Sequence, residues 1–243
     1  MASSHNVIVR TLITYLFGSL MSVFFLVLVL PLILLPDSMR YKNKLFFWLT
    51  SRWSKTWLWL AGISLAIRGD DMPQEEPVIF VMNHGSALDI LLIEALLGAA
   101  PRIWLSKDEY RKMPLLNWIL MRMHVMVDAT SAMEGARALK MLQKKAVLGK
   151  SHVLLFPEGG RYSDGEIHRF FKGFSLLADV LSRPVVPVYI DAAHKAYPKD
   201  SVLIQSAVPV LLDVGPSFVR APNESHEHFV ERVRDWFIGK TDN

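Results

Sequence analysis

Pro77-Val78-Ile79-Phe80-Val81-Met82 runs straight into Asn83-His84-Gly85-Ser86-Ala87-Leu88-Asp89, and the chain then stays largely apolar to Leu97 before Gly98. A short apolar run between turn-forming residues predicts a buried strand. The longer stretch from Leu88 to Leu97, ended by a glycine, predicts a helix. Strand, polar loop and helix in that order are the repeating unit of an α/β layered domain. In such sheets ligands and catalytic groups gather outside the carboxyl ends of the strands, which is where His84 falls.

The pattern continues in both directions. Ile103-Trp104-Leu105, Val125-Met126-Val127, His152 to Phe156 and Val185 to Ile190 are dense in β-branched or large apolar residues and predict further strands. Ala132 to Leu148 predicts an amphipathic helix with Gly149 as its stop. Asn223 is placed to cap a last helix bearing Phe229, Val230, Val233, Trp236 and Phe237. The expected fold is α/β: a layered domain over residues 69–243 with a central, mostly parallel sheet flanked by helices. Residues 1–68 are expected to form membrane-anchoring helices, either transmembrane or a monotopic hairpin. There is no internal repeat.

That N-terminal assignment rests on composition. Hydrophobic residues make up 51% of the 243, and the excess is concentrated near the start. No charged side chain lies between Arg10 and Asp37. A run of that length spans a hydrocarbon core of about 30 Å as a helix. A cleaved signal peptide is the rival reading, but Pro31-Leu32-Ile33-Leu34-Leu35-Pro36 puts bulky residues where a cleavage site needs small ones. A second apolar segment, Leu45 to Ile67, carries Trp48, Trp53, Trp57 and Trp59 but is broken by Arg52 and Lys55. Aromatic and basic residues so mixed suit a helix at the membrane interface; a core helix of the following domain is the alternative.

The net charge of +4 suits work beside anionic lipid headgroups. Arg40, Lys42 and Lys44 follow the first run, which by the positive-inside rule places that flank, and the domain after it, in the cytoplasm. No long basic cluster suggests nucleic acid. With no cysteine there is no disulfide, thiolate nucleophile or thiolate metal site.

Two stretches carry chemistry. In Asn83 to Asp89 a histidine is a natural general base near neutral pH. A carboxylate a few residues on can fix its tautomer and stabilise the imidazolium. The nucleophile is then either Ser86 or a hydroxyl of the substrate. Ser86-x-x-Asp89 also reads as a capping box, a purely structural device. The second stretch is Phe156-Pro157-Glu158-Gly159-Gly160-Arg161, again after a predicted strand. Its glycines allow close approach of the backbone to a ligand, and Arg161 offers a planar fork for phosphate or carboxylate. Glu158 can accept from a substrate hydroxyl or hold Arg161; a surface turn with an exposed ion pair is the plainer account.

Asn83-His84-x-x-x-x-Asp89 followed by Phe156-Pro157-Glu158-Gly159-x-Arg161 resembles the paired signature of the glycerophospholipid acyltransferases, the family of lysophosphatidic acid acyltransferase. Lys107-Asp108-Glu109-Tyr110-x-x-x-Pro114 resembles that family's second block, and Val186-Pro187-Val188-Tyr189-Ile190 its fourth. The resemblance implies that His84 deprotonates the free hydroxyl of a lysolipid, with Asp89 orienting it. The hydroxyl attacks the thioester of acyl-CoA or acyl-carrier protein, without an acyl-enzyme, so Ser86 is not a nucleophile. Lys107 and Arg161 would hold the acceptor's phosphate, with Glu158, Gly159 and Gly160 shaping that pocket. The implied reaction makes phosphatidic acid from 1-acyl-glycerol-3-phosphate at a bacterial inner membrane or its equivalent, with no metal or other cofactor. Other lysolipid acceptors, or a non-catalytic lipid-binding protein, are the alternatives. A hydrolase lacks support, because no Gly-x-Ser-x-Gly elbow surrounds Ser86.

Four positions depart from the family pattern. Gly160 stands where a threonine is common, Asn117 and His124 where glycines are common, and Ala129 where an arginine often follows the acidic residue. Both the threonine and the arginine bear on the acceptor headgroup. Elsewhere His124, His152, His168 and His194 show no ligand spacing and read as structural or exposed. Arg102, Arg169 and Lys172 read as solvated charge. Phe170, Phe171, Phe174 and the methionines 113, 121, 123 and 126 read as core.

Overall fold

The computed structural model describes residues 4–70, 73, 76–107, 114–127, 131–162, 164–205 and 209–241. The elements run α1 (Ser4–Leu34), α2 (Asp37–Arg40), α3 (Lys44–Leu60), β1 (Leu65–Gly69), β2 (Ile79–Met82), α4 (Leu88–Leu97), β3 (Arg102–Lys107), α5 (Pro114–Met123) and β4 (Val125–Val127). They continue with α6 (Ala132–Gly149), β5 (His152–Leu155), α7 (Gly173–Leu181), β6 (Val185–Asp191), α8 (Ala193–Ala196), β7 (Val210–Val214) and α9 (His226–Thr241).

The strands form one sheet in the order β1-β7-β6-β2-β5-β3-β4. Every pairing is parallel except β6 with β7. The centre is buried on both faces, and the two-residue period divides its side chains. Phe80 and Met82 of β2 face one layer, packed with Leu92 and Leu58. Ile79 and Val81 face the other, packed with Leu142, Phe174 and Phe229. Helices α3, α4 and α8 cover the first face, and α6, α7 and α9 the second. Double burial is why these strands read as continuous apolar runs.

Several details differ from the sequence expectation, among them Phe171 and Met121, which read as core in the sequence but are exposed. Leu65 to Ile67 is not the tail of the second apolar segment but the start of β1, which pairs with β7; neither strand was foreseen. Gly149 is the last residue of α6 and not its left-handed stop, which falls on Lys150 at φ 47°. A Cβ on Gly149 would lie 2.8 Å from Tyr41 Cβ, so the glycine serves close packing. The start of α9 is capped by Ser225, whose hydroxyl accepts from His228 N at 3.1 Å, and not by Asn223. Arg102 is not solvated charge but fully buried. Its guanidinium bonds Glu94, the carbonyls of Gly98, Ala100 and Phe47, and Thr50 Oγ1.

Helix α1 is long and apolar enough to cross a membrane, with 17% of its most apolar window buried. It packs on α3 along a seam of small residues, Gly18 and Ser22. Ser22 Oγ accepts from the indole N–H of both Trp53 (2.9 Å) and Trp57 (3.1 Å). A Cβ on Gly18 would meet the Trp57 ring at 2.6 Å. Small residues in this spacing let two helices approach closely. The opposite side of α1, including Leu12, Leu16, Leu20, Val23, Phe24 and Val27, is exposed. Helix α3 combines both readings offered for it: Phe46, Phe47, Ser51, Ser54 and Leu58 are buried, while Trp48 and Trp59 remain exposed.

Candidate active site

The strand order β6-β2-β5-β3 sets four motif-bearing segments side by side at one sheet edge. Ile79, Phe80 and Val81 pair in parallel with Val153, Leu154 and Leu155, so β2 and β5 end together. The Asn83 and Phe156 segments therefore emerge as neighbours. Lys107 ends β3 on the far side of β5. The side chain of Lys107, residues Asp108 to Met113 and residues Asp128 to Thr130 lie outside the described residues. Asn83 clamps β2 to β6: its amide donates to Ile190 O at 2.9 Å and its oxygen accepts from Ile190 N at 2.7 Å.

His84 Nδ1 lies 2.8 Å from Asp89 Oδ2. A carboxylate can only accept, so Nδ1 carries a proton, and in the neutral imidazole the lone pair is then on Nε2. The imidazole stacks on Phe156 at 3.9 Å and 10°, which fixes its plane. Asp89 is fully buried. The same Oδ2 also accepts from Gly85 N and Ser86 N, each at 2.9 Å. The carboxylate that meets His84 thus also makes one half of the capping box, the bond from Ser86 N. The reciprocal bond is not made, because the Ser86 hydroxyl accepts from Leu88 N and Asp89 N bonds the Ser86 carbonyl. Ser86 is buried, and its hydroxyl donates to Tyr197 O at 2.8 Å, which removes it as an accessible nucleophile.

The second motif grips the first through the His84 backbone. His84 N donates to Glu158 Oε1 at 3.1 Å, and Tyr162 N donates to His84 O at 2.8 Å. Glu158 Oε2 accepts from His168 N at 3.1 Å. Both carboxylate oxygens are thus engaged by backbone, so Glu158 does not pair with Arg161. Burial pushes the Glu158 carboxyl above its ordinary value, against the two backbone donors that pull it down. Gly159 has φ +65°, a conformation favouring glycine. A Cβ on Gly160 would lie 3.0 Å from the Tyr162 ring. The threonine common in the family would need that ring to give way. Among the described residues the Arg161 guanidinium has no hydrogen bond or ion pair; its carbonyl accepts from Lys199 Nζ at 3.4 Å.

A cleft opens over this arrangement, lined by Asn83, His84, Glu158, Tyr162, Ile190 and His194, among others. His84, Asp89 and Glu158 are brought together there, with Gly159, Gly160 and Arg161 in the adjoining turn. Of the lining residues, Tyr162 is not singled out by the sequence, and His194 reads there as structural or exposed. Tyr162 stacks on His168 at 3.8 Å, and His168 Nε2 is 2.8 Å from Asp164 Oδ2. His194 reaches the cleft from α8. The Tyr162–His168 and His168–Asp164 contacts are local, whereas His194 is brought to the cleft only by the fold. His124 and His152 are structural as expected: their Nδ1 atoms accept backbone N–H from Trp104 and Val78. Among the described residues no cluster of three or more His, Asp or Glu could hold a metal ion.

A family model described as Acyltransferase matches residues 64–191. Relatives include the 1-acyl-sn-glycerol-3-phosphate acyltransferase of Cocos nucifera, 24% identical over 185 residues, covering 74% of this chain and 59% of that protein. The protein of the same name from Borreliella burgdorferi is 27% identical over 186 residues, covering 75% and 74%. The chain thus spans about three-fifths of the coconut relative, the matched share being 59%. The solved structure of the 1-acyl-sn-glycerophosphate (LPA) acyltransferase from Thermotoga maritima shares the fold, with TM-score 0.76, 22% identity and coverage of 98% and 96%.

Proposed function

Because the chain belongs to the acyltransferase family, we propose that it moves a fatty acyl group from a thioester donor to the free hydroxyl of 1-acyl-glycerol-3-phosphate, giving phosphatidic acid. The observation that carries this reading is His84, held by buried Asp89 at 2.8 Å in a cleft that Glu158, the first residue of the turn leading to Arg161, also lines. The relatives named for this reaction support the acceptor.

The mechanism follows from the tautomer. Nε2 takes the proton of the acceptor hydroxyl as its oxygen attacks the thioester carbonyl carbon. Asp89 stabilises the imidazolium so formed. The tetrahedral intermediate collapses, the C–S bond breaks, and the departing sulfur takes the proton back from Nε2. One ester bond forms, one thioester bond breaks, and no acyl-enzyme arises. Arg161 and Lys107 hold the acceptor phosphate, which sets its hydroxyl in line; such positioning lowers a barrier by up to roughly 7–11 kcal/mol in ideal cases. Glu158 and the glycines hold the turn. The apolar helices anchor the protein to a membrane, and the catalytic part faces the cytoplasm in this reading, supported by the basic residues that follow α1. The donor is acyl-CoA or acyl-carrier protein.

The test is thiol release from acyl-CoA by the full chain in detergent, with a panel of lysolipids. Release dependent on lysophosphatidate supports the proposal. Release with a different lysolipid moves the acceptor and points to Gly160 and Ala129. No release from acyl-CoA or from acyl-carrier protein defeats the enzymatic reading in favour of lipid binding.

A further inference from the structure

Helix α1 does more than present an apolar surface. Arg10, Thr11, Thr14 and Tyr15 fall at i, i+1, i+4 and i+5, one face of a helix. That face is bonded to the rest of the chain. Thr14 Oγ1 donates to Leu60 O at 2.8 Å, at the end of α3. The other three hold the segment after α8. Arg10 donates to Ile204 O at 3.1 Å, and Thr11 Oγ1 accepts from Ile204 N at 3.1 Å. Tyr15 donates its hydroxyl to Val202 O at 2.9 Å and accepts from the Tyr197 hydroxyl at 3.2 Å. Each hydroxyl thus has a consistent role along the chain.

The same segment holds the catalytic loop from its other side. Tyr197 O receives the buried Ser86 hydroxyl at 2.8 Å. Gly85 also adjoins the segment: a Cβ there would be in van der Waals contact with His194 Cβ, at 3.4 Å. Gln205 N bonds Ala196 O at 2.7 Å, which closes the segment on itself. Ser86 and Gly85 are in turn the two backbone donors to the oxygen that orients His84. The connected path runs from α1 through Tyr15, Tyr197 and Ser86 to Asp89 and His84.

Resting on the acyl-transfer reading above, we propose that Tyr15 and Tyr197 are positioning residues: α1 fixes the His84 loop through residues 193–205 and so sets catalytic rate as well as membrane attachment. An anchor alone needs no polar face, and burying hydroxyls without partners would be unfavourable. Membrane attachment and loop geometry are thereby coupled within one helix.

The experiment compares the full chain with Tyr15→Phe and Tyr197→Phe in phospholipid vesicles, with Leu16→Ala on the exposed side of α1 as control. Phe keeps the ring and removes only the hydroxyl. In Tyr15→Phe, kcat is expected to fall roughly tenfold with little change in KM for donor or acceptor, since small displacements of a catalytic group weigh on rate. The double variant is expected to match Tyr15→Phe rather than add to it, because the two act through one bond. Leu16→Ala keeps its kcat. Amide hydrogen exchange supplies a readout independent of turnover: Gly85 and Ser86 exchange faster in Tyr15→Phe, while the strands of the sheet do not. If no acyl transfer is seen even in the unmodified chain, the exchange result alone decides. Unchanged exchange at 85–86 overturns the proposal, as does a kcat loss matched by Leu16→Ala or accompanied by faster exchange throughout the sheet.

Discussion

Asp89 Oδ2 serves three donors at once, the imidazole N–H of His84 and the backbone N–H groups of Gly85 and Ser86. This separates two substitutions that would otherwise look alike. In Asp89→Asn an amide oxygen can still accept all three, so the loop and tautomer persist while the charge is lost; kcat should fall by roughly 10²-fold or more with folding intact. Asp89→Ala also leaves two loop N–H groups unpaired, and a thermal melt should show a further loss of about 1–3 kcal/mol. Steady-state kinetics beside melts distinguish the two. At Gly160 the obstacle is the Tyr162 ring, 3.0 Å from a Cβ built there. Gly160→Thr alone is expected to raise KM for the acceptor several-fold, and Gly160→Thr with Tyr162→Ala to recover part of it, because the ring no longer competes for the space. At this scale the sequence displayed His84 and Asp89 plainly, since both lie in one loop. Tyr162 is not singled out there, and His194 reads as structural or exposed, because only the fold brings them to that loop.

Among the elements, α1 illustrates how far composition carries. Its apolarity announced a membrane-facing helix, but the seam at Gly18 and Ser22 is hidden inside a uniformly greasy run. Gly18→Leu should drive the side chain into Trp57 and destabilise the α1–α3 pair by about 1–3 kcal/mol, measured by thermal unfolding in detergent. Contacts at both ends, Arg10 with Ile204 and Ile33 O with Arg122, lie roughly 35 Å apart along the helix. So α1 runs beside the catalytic part instead of projecting from it. Arg102 gives the opposite lesson: a lone basic residue reads as surface until the fold supplies Glu94. Burial pushes the Glu94 carboxyl up, but the Arg102 guanidinium and the Trp104 indole hold it below its ordinary value. Arg102→Met removes the partner of a buried carboxylate and should destabilise by about 3–5 kcal/mol, whereas a joint change of both to apolar residues should be far milder. Strands β2, β5 and β6 were legible because both faces are buried. β1 has four exposed residues in five and follows an apolar helix almost directly, so no contrast marked its start.

For the whole molecule, the sheet order decides which motifs meet. Blocks separated by about half the chain converge because β2 lies between β5 and β6, an arrangement no local pattern encodes. The packed interior also sets a pH dependence. Burial pushes the pKa of His152 from 6.5 down to about 4, and that of His124 likewise to about 4. The folded values lie below the unfolded ones, so on acidification the unfolded chain binds protons first. Stability is held above about pH 6.5 and lost towards pH 4, at roughly 1.4 kcal/mol per pH unit for each such histidine. Denaturant unfolding across that range should show the decline, and His152→Gln, which can still accept the Val78 N–H, should reduce its slope.

The central claim is that His84, oriented by Asp89, is the base that activates the acceptor hydroxyl. Its most direct test is mass-spectrometric measurement of phosphatidic acid formed from acyl-CoA and lysophosphatidate by the unmodified chain and by His84→Ala, both verified as folded. The account predicts product from the former and a loss of roughly 10²–10⁴-fold in the latter. Product formation by His84→Ala within about tenfold of the unmodified chain, a factor worth only about 1.4 kcal/mol of barrier, would contradict it.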